Sequence, residues 1–256
     1  MQRSSSSQAI ILSLKPLGEN NSSVTLISPE NGISYATLYG GPKSKMRSLV
    51  AQWNSGQIWL YENPEKKQTK ISDFEVKNYH SSFSESLFKA FAANLAAELV
   101  IKTRCAGSNE QCFTLLSGFL DGMDLCDEEQ SRVGLIRFLW RYLELLGVQP
   151  DAVYCAHCGQ DFLSRLFAPK EISYYNSIEN NFICKLPEKE ALSYCIPISS
   201  NAVKYLAAIS TLTPAEVRKI KIDKEEYEQI KQIVFFLIEN NIEQKLNSIQ
   251  TGIGIL

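Results

Sequence analysis

Histidine is scarce in this chain, with only His80 and His157 among 256 residues. Neither belongs to an HExxH arrangement, no GxSxG turn is present, and no acidic pair falls on strands in the way that seats two catalytic metals. The stretch GGPKSKMRS, residues 40–48, lacks the Gly-Lys-Ser/Thr ending of a phosphate-cradling loop, so nothing there implies nucleotide hydrolysis. The acidic group Asp127-Glu128-Glu129 stands at a helix start, where negative charge meets the helix dipole favourably, and needs no catalytic explanation. These absences point away from an enzyme.

Long apolar runs are missing too. The run from Ala9 to Leu14 is too short for a secretory core or a bilayer span, and reads as the first strand of a cytoplasmic protein with no membrane role. Seven cysteines, an odd number, in such a context point to metal binding or free thiols more than to a disulfide framework. Cys105, Cys112 and Cys126 lie in helical surroundings and read as small packing residues. Net charge is only −2, but residues 1–80 hold nine Lys and Arg against six Asp and Glu, a local balance of +3 that leaves −5 for the rest. A mildly basic front on a mildly acidic body suits polyanion binding at one end.

What is present falls into two regimes of periodicity. Between Gln8 and His80, five short segments (QAIILSL, SVTLIS, GISYATLY, GQIWLYE, TKISDFEV) are β-branched or aromatic and are separated by turn residues such as Pro29-Glu30-Asn31-Gly32 and Gly40-Gly41-Pro42. Five strands in so short a span predict a small barrel, either of the oligonucleotide-binding type or SH3-like. From Ser82 onward the period becomes helical. An amphipathic helix carries Leu87, Phe88, Phe91, Leu95, Leu99 and Val100. A second covers Glu110 to Gly122, and a third, the expected buried centre, runs from Glu128 to Leu146 and stops at Gly147 before Pro150. Residues 151–198 break that pattern as a loop-rich, cysteine-bearing insertion. Helix resumes at 200–209, after Thr213-Pro214-Ala215-Glu216, and from Asp223 to Leu246, and the closing TGIGIL reads as frayed. The expected fold class is thus α+β, with a barrel domain at 1–80, a helical domain at 81–256, and a zinc-finger-like segment at 151–198.

Two constellations carry chemistry. Cys155 and Cys158, two residues apart and followed by Gly159, form half of a structural zinc site; Cys184 and Cys195 would complete it if the ten residues KLPEKEALSY between them loop out. His157 lies between the first two sulfurs and is expected to point away. The bland alternative is a remnant pair beside two core cysteines. The second constellation is Lys43, Lys45 and Arg47, alternating behind a glycine turn; on an extended segment all three would face one groove and neutralise phosphates. Tyr35, Tyr39, Trp53, Trp59 and Tyr61 lie nearby and could stack on unpaired bases if they occupy the open face of the barrel. The bland alternative here is a solvated turn with three surface cations.

Taken in order, these pieces resemble the bacterial RecO family of DNA repair and recombination proteins. The resemblance is carried by AIILSLKPLGENNSSVTLISPENGISYATLYGGPKSKMRS with its Gly18-Glu19 pair and basic Gly-x-x-x-Ser segment, by LLGVQPDAVYCAHCGQ at 145–160, by IPISSNAVKYL at 196–206, and by LIENNIEQKLNS at 237–248. It implies an N-terminal OB-fold, a helical body and a zinc-bearing segment. It also implies a non-enzymatic recombination mediator that binds single- and double-stranded DNA, anneals complementary strands, contacts the single-stranded DNA-binding protein, and works with RecR, sometimes also RecF, to load RecA. Such a protein would be cytoplasmic and associated with the nucleoid. Carried over by position, Lys43, Lys45 and Arg47 match the basic segment and Cys155, Cys158 and Cys184 match metal ligands, while Cys195 matches the fourth only across the insertion. The rival reading is a protein-interaction adaptor whose barrel grips a peptide and has no direct role on DNA.

Overall fold

Five strands, each centred on one of the alternating segments, close into a barrel: β1 (Ser4–Leu17), β2 (Asn21–Ser28), β3 (Gly32–Leu38), β4 (Ser55–Asn63) and β5 (Gln68–Asn78). The computed structural model describes residues 4–40, 44–65, 68–168, 170–186, 193–242 and 244–256. Neighbours around the barrel run β1-β2-β3-β5-β4 and back to β1, all antiparallel except the parallel closure of β3 on β5 at Thr37 and Lys70. That order, with a short helix α1 (Lys45–Leu49) between β3 and β4, is the oligonucleotide-binding topology and not the SH3-like one. One side of each strand fills the interior: Ala9, Ile11, Val24, Leu26, Ala36, Leu38, Ile58, Ile71 and Phe74 are buried together with Val50. Gly32 has φ +61 at the turn between β2 and β3, and the Asn31 amide donates to Ser28 Oγ at 3.2 Å, so the Pro-Glu-Asn-Gly turn forms where its chemistry requires.

Helices follow as the change of period predicts: α2 (Leu87–Lys102), α3 (Asn109–Leu125) and α4 (Glu128–Leu145). The chain divides into two compact units, Met1–Leu135 with Gln244–Leu256, and Ile136–Glu243, so α4 begins in the first and ends in the second. In the first unit α2 is buried on most sides, with Ala92, Ala93, Ala96 and Ala97 among its buried residues. It is therefore a central helix and not the amphipathic surface helix its larger apolar residues suggest; the alanines let neighbours approach from every side. The terminal segment, expected to fray, is tied down: α8 (Asn247–Thr251) is followed by a turn in which Leu256 is buried, and Arg132 Nη1 donates to the Ile255 carbonyl at 2.9 Å.

Glu98 of α2 holds α8 in place. Its carboxylate accepts from the Asn247 and Ser248 amides at 2.9 and 2.7 Å and lies 2.8 Å from Lys102 Nζ. Burial pushes the Glu98 carboxyl up, but the Lys102 ammonium and the Ser248 and Asn247 groups outweigh it and hold the pKa at about 2. A depressed carboxyl stabilises the fold above its unfolded value of roughly 4.3, and that contribution fades as pH falls toward the folded value. Discounted for solvent screening, the expected contribution is about 1–2 kcal/mol. Urea unfolding at pH 7 and pH 3 should show Glu98→Gln less stable than wild type at pH 7, with the gap narrowing at pH 3; a constant gap would refute this role.

In the second unit the loop-rich segment contains a three-stranded sheet, β6 (Ile172–Asn176), β7 (Asn181–Ile183) and β8 (Cys195–Ser199), in the order β7-β6-β8. Tyr175 and Phe182, paired across β6 and β7, are fully buried and give the sheet a core side. Helices α5 (Ser200–Thr211), α6 (Pro214–Val217) and α7 (Lys224–Asn241) complete the unit. Reciprocal capping boxes, Thr213 with Glu216 and Asp223 with Glu226, start α6 and α7. Among the described residues no helix is long and apolar enough to cross a membrane.

Candidate nucleic-acid interface and metal centre

The basic segment adopts a helix where an extended ribbon is expected. Lys43 lies outside the described residues; Lys45 opens α1 and Arg47 sits two positions later. At about 100° per residue, positions two apart project roughly 200° from each other, so the two cations flank the helix and do not line one groove. The reason is local packing: Met46 and Leu49, three apart, both rest against the barrel core and hold one helical face inward. Lys45 and Arg47 stay exposed on the sides that remain.

The candidate stacking residues separate cleanly. Tyr35 and Tyr39 are 64% and 48% exposed; Tyr35 and Thr37 point outward from β3, and Tyr39 follows directly after its end. Trp59 and Tyr61 lie on the outward side of β4, because Ile58 and Leu60 between and beside them face the core. Their partners on β1 are serines, Ser6 opposite Trp59 and Ser4 opposite Tyr61, too small to cover an aromatic ring. Trp53 is not part of this surface: it is buried, with φ +75, and its carbonyl lies 2.7 Å from His80 Nδ1.

Between the two aromatic rows runs β5, and it supplies a cation that sequence reasoning missed. Lys70 pairs with Thr37 on one side and Tyr61 on the other, and its ammonium sits 4.7 Å from the centre of the Tyr61 ring. Tyr39 reaches the same strand, its hydroxyl donating to Gln68 Oε1 at 3.4 Å. Asp73, opposite Trp59, and Glu75, exposed between core-facing Phe74 and Val76, are acidic members of the face, and Asp73 Oδ1 accepts from the Phe74 amide. Alternation in TKISDFEV does mark Lys70 as outward, but only the closure of β3 on β5 brings it between Tyr39 and Tyr61. The outer face of β3-β5-β4 can therefore offer ring faces to bases and a positive charge to phosphate.

The cysteines converge in part. The CxxCG turn stands at the tip of a small hairpin, with Cys155 N–H donating to the Gln160 carbonyl at 2.9 Å and Phe162 N–H to Val153 at 2.8 Å. Gly159 has φ +72 there, which favours glycine. The Ala156 amide donates to the Phe182 carbonyl at 2.9 Å, docking the hairpin on β7, whose next residue beyond Ile183 is Cys184. As a result the sulfurs of Cys155, Cys158 and Cys184 all lie within 4.8 Å of one another, with Cys158 Sγ 3.6 Å from Cys184 Sγ. Sulfurs on a tetrahedral zinc, at about 2.3 Å from the ion, stand about 3.8 Å apart, so the three thiols fit three corners of such a site. The Cys184 amide donates to Cys155 Sγ at 3.2 Å. Burial pushes the Cys155 thiol up, but amides of Cys158, Cys184 and His157 together bring it below the usual range, whereas burial and the other two sulfurs push Cys184 up to about 11.

Cys195 does not join them. It is buried in β8 opposite Asn176, whereas Cys184 lies three residues along β7 from Asn181, the β7 partner of Asn176. Two strand spacings across and three residues along, at about 4.8 and 3.3 Å each, put the two Cα atoms roughly 14 Å apart. Cys195 thus lies at the far edge and opposite end of the sheet from Cys184. The group therefore comprises three cysteines, without Cys195 and without His157.

A closed barrel of the oligonucleotide-binding type with an aromatic and cationic outer face, followed by helices and a three-thiol cluster, defines a two-part α+β protein. Residues 84–250 match the family described as Recombination protein O C terminal, and the chain belongs to that family. It is 24% identical over 232 residues to the DNA repair protein RecO of Bacillus pumilus, covering 89% of this chain and 85% of that one. It is 24% identical over 243 residues to the DNA repair protein RecO of Pelotomaculum thermopropionicum, covering 94% and 90%. With the protein of the same name from Solidesulfovibrio magneticus it shares 28% identity over 167 residues, 60% and 63% of the two chains.

Proposed function

We propose that this protein is a non-catalytic mediator of DNA repair that binds single- and double-stranded DNA through its barrel and anneals complementary strands. The observation that carries the reading is the outer face of β3-β5-β4, where exposed Tyr35 and Tyr39 flank Lys70 on its Tyr61 ring in a member of a recombination-protein family. Lys45 and Arg47, with Lys43 before them, add charge from α1 and the segment leading to it. In this reading the protein is cytoplasmic, works with RecR and the single-stranded DNA-binding protein, and so helps to load RecA, with RecF joining in some settings. Zinc held by Cys155, Cys158 and Cys184 braces the hairpin against the sheet.

A fluorescence anisotropy titration with labelled single-stranded DNA tests the barrel at two salt concentrations. Wild type should bind tightly at low salt and weaken steeply as salt rises, because phosphate contacts release counterions. Tyr35→Ala with Tyr39→Ala should weaken binding by roughly 1–3 kcal/mol per lost stack at any salt. Lys43, Lys45 and Arg47 changed together to alanine should flatten the salt dependence by about 2 in log-log slope. Equal affinity of all variants and wild type would remove the barrel site, and no binding by wild type at low salt would favour the peptide-gripping adaptor.

A further inference from the structure

The second unit holds a cationic cluster that the barrel reading does not use. Arg137 and Arg141 stand one turn apart on α4, and Arg218 follows α6. Arg137 Nε donates to the hydroxyl of buried Tyr205 at 2.7 Å, with its guanidinium 5.9 Å from that ring's centre. Arg141 is half-buried, and its Nη2 is sealed from solvent without any acceptor. Burial works against the charge on Arg141, Arg137 and Arg218 work against it further, and Tyr205 and Glu144 only partly offset them, leaving its pKa below the usual arginine range. Among the described residues none of these three arginines is in an ion pair. Lys219 and Lys221 continue the run from Arg218, all three exposed.

A half-buried guanidinium with one N–H lacking an acceptor and with like charges as neighbours is destabilising, and an oxyanion on its solvent-facing part would offset the uncompensated charge. The planar fork of arginine complements phosphate and carboxylate alike. Five cations spread over α4 and the segment after α6 suit a chain of regularly spaced charges better than one terminal carboxylate. We propose that Arg137, Arg141 and Arg218, continued by Lys219 and Lys221, form a second binding site for nucleic-acid phosphates, carried by the helical unit. This rests on the DNA-binding reading above and extends it: a protein with a phosphate site in each unit can hold two strands, as annealing requires.

The test is a salt titration of binding to a labelled single strand of 30 nucleotides, by anisotropy, on the full chain. Three proteins are compared: wild type, a barrel variant with Tyr35, Tyr39 and Lys70 changed to alanine, and a cluster variant with Arg218, Lys219 and Lys221 changed to glutamine. The three cluster positions are exposed, so the fold should be retained. Three lost phosphate contacts should lower the log-log slope by about 2 and weaken binding at least tenfold at moderate salt. The barrel variant should keep salt-dependent binding that combining it with the cluster changes abolishes. Arg141→Met should also lower the slope, by about 0.7, without lowering the thermal midpoint. A cluster variant that binds like wild type while the barrel variant loses all binding overturns the second site and leaves the first standing. Failure of wild type to bind removes both. Loss of binding to a labelled acidic peptide in the cluster variant, with the DNA slope unchanged, would assign the cluster to a protein partner and overturn the proposal.

Discussion

Replacing Gly56 by alanine is expected to unfold the barrel or bring it close to unfolding. Gly56 is buried near the start of β4, opposite Ala9 of β1 and Val76 of β5, where the β4-β5 register shifts. A Cβ there would lie 2.0 Å from the Glu75 carbonyl oxygen, 2.9 Å from the Lys77 nitrogen and 3.0 Å from the Glu75 carbonyl carbon. All three are main chain. A flexible side chain can swing aside, but here β5 itself would have to retreat, and with it Phe74, which is buried in the core beside Ile58. Overpacking of this kind costs about 3–5 kcal/mol, a large part of the ~5–15 kcal/mol that holds a domain together. Gly118→Ala provides the contrast: on an exposed turn of α3 its Cβ meets nothing within 4 Å, and helix propensity should raise stability by about 1 kcal/mol. Urea unfolding reads both, as a midpoint far below wild type for Gly56→Ala and slightly above it for Gly118→Ala. A Gly56→Ala midpoint equal to that of wild type would mean that β4 and β5 do not pair in this register.

Local signals in the sequence carry the elements well, and non-local ones are where it falls silent. Alternation marks all five barrel strands, Thr213 and Asp223 announce their helices, and Gly147 stops α4 with φ +71. The three sheet strands in the cysteine segment go unread because each is five residues or fewer and takes its stability from pairing with chain up to 27 residues away. The same limit explains why the basic segment and Cys195 are placed differently from the expectation. KSKMRS alternates as a strand would, yet it also contains Met46 and Leu49 at helical spacing; packing on the barrel decides between the two periods, and that is a tertiary fact. Cys195 follows Cys184 by a plausible loop, but β8 must pair with β6, and the sheet order sends it away from the cluster. Lys70 and the arginine cluster go unnoticed for a related reason: neither is a motif, and each becomes a site only when separate elements are brought together.

Removing zinc should separate the three-cysteine reading from the four-cysteine one. Three sulfurs within 4.8 Å of one another cannot all ionise without a cation between them, and that conflict adds to the burial that pushes Cys184 up to about 11. A divalent ion reverses it, because each thiolate then faces a positive centre. Purified protein kept from chelators should hold about one equivalent of zinc by elemental analysis, and Cys184→Ser should hold little. Cys195→Ser should keep the metal, since its sulfur lies at the far end of the sheet; loss of zinc from it would overturn this assignment and restore the four-cysteine site. Stripping the ion should release the hairpin that docks on β7 through Ala156 and Phe182. Zinc present at a thousandfold over its dissociation constant stabilises by about 4 kcal/mol, so the thermal midpoint of the second unit should fall by roughly 10 °C or more on removal. The barrel lies in the other unit, and single-strand binding through its Tyr35, Tyr39 and Lys70 face should survive the same treatment. Parallel loss of barrel binding and zinc would mean that the metal braces more than the hairpin.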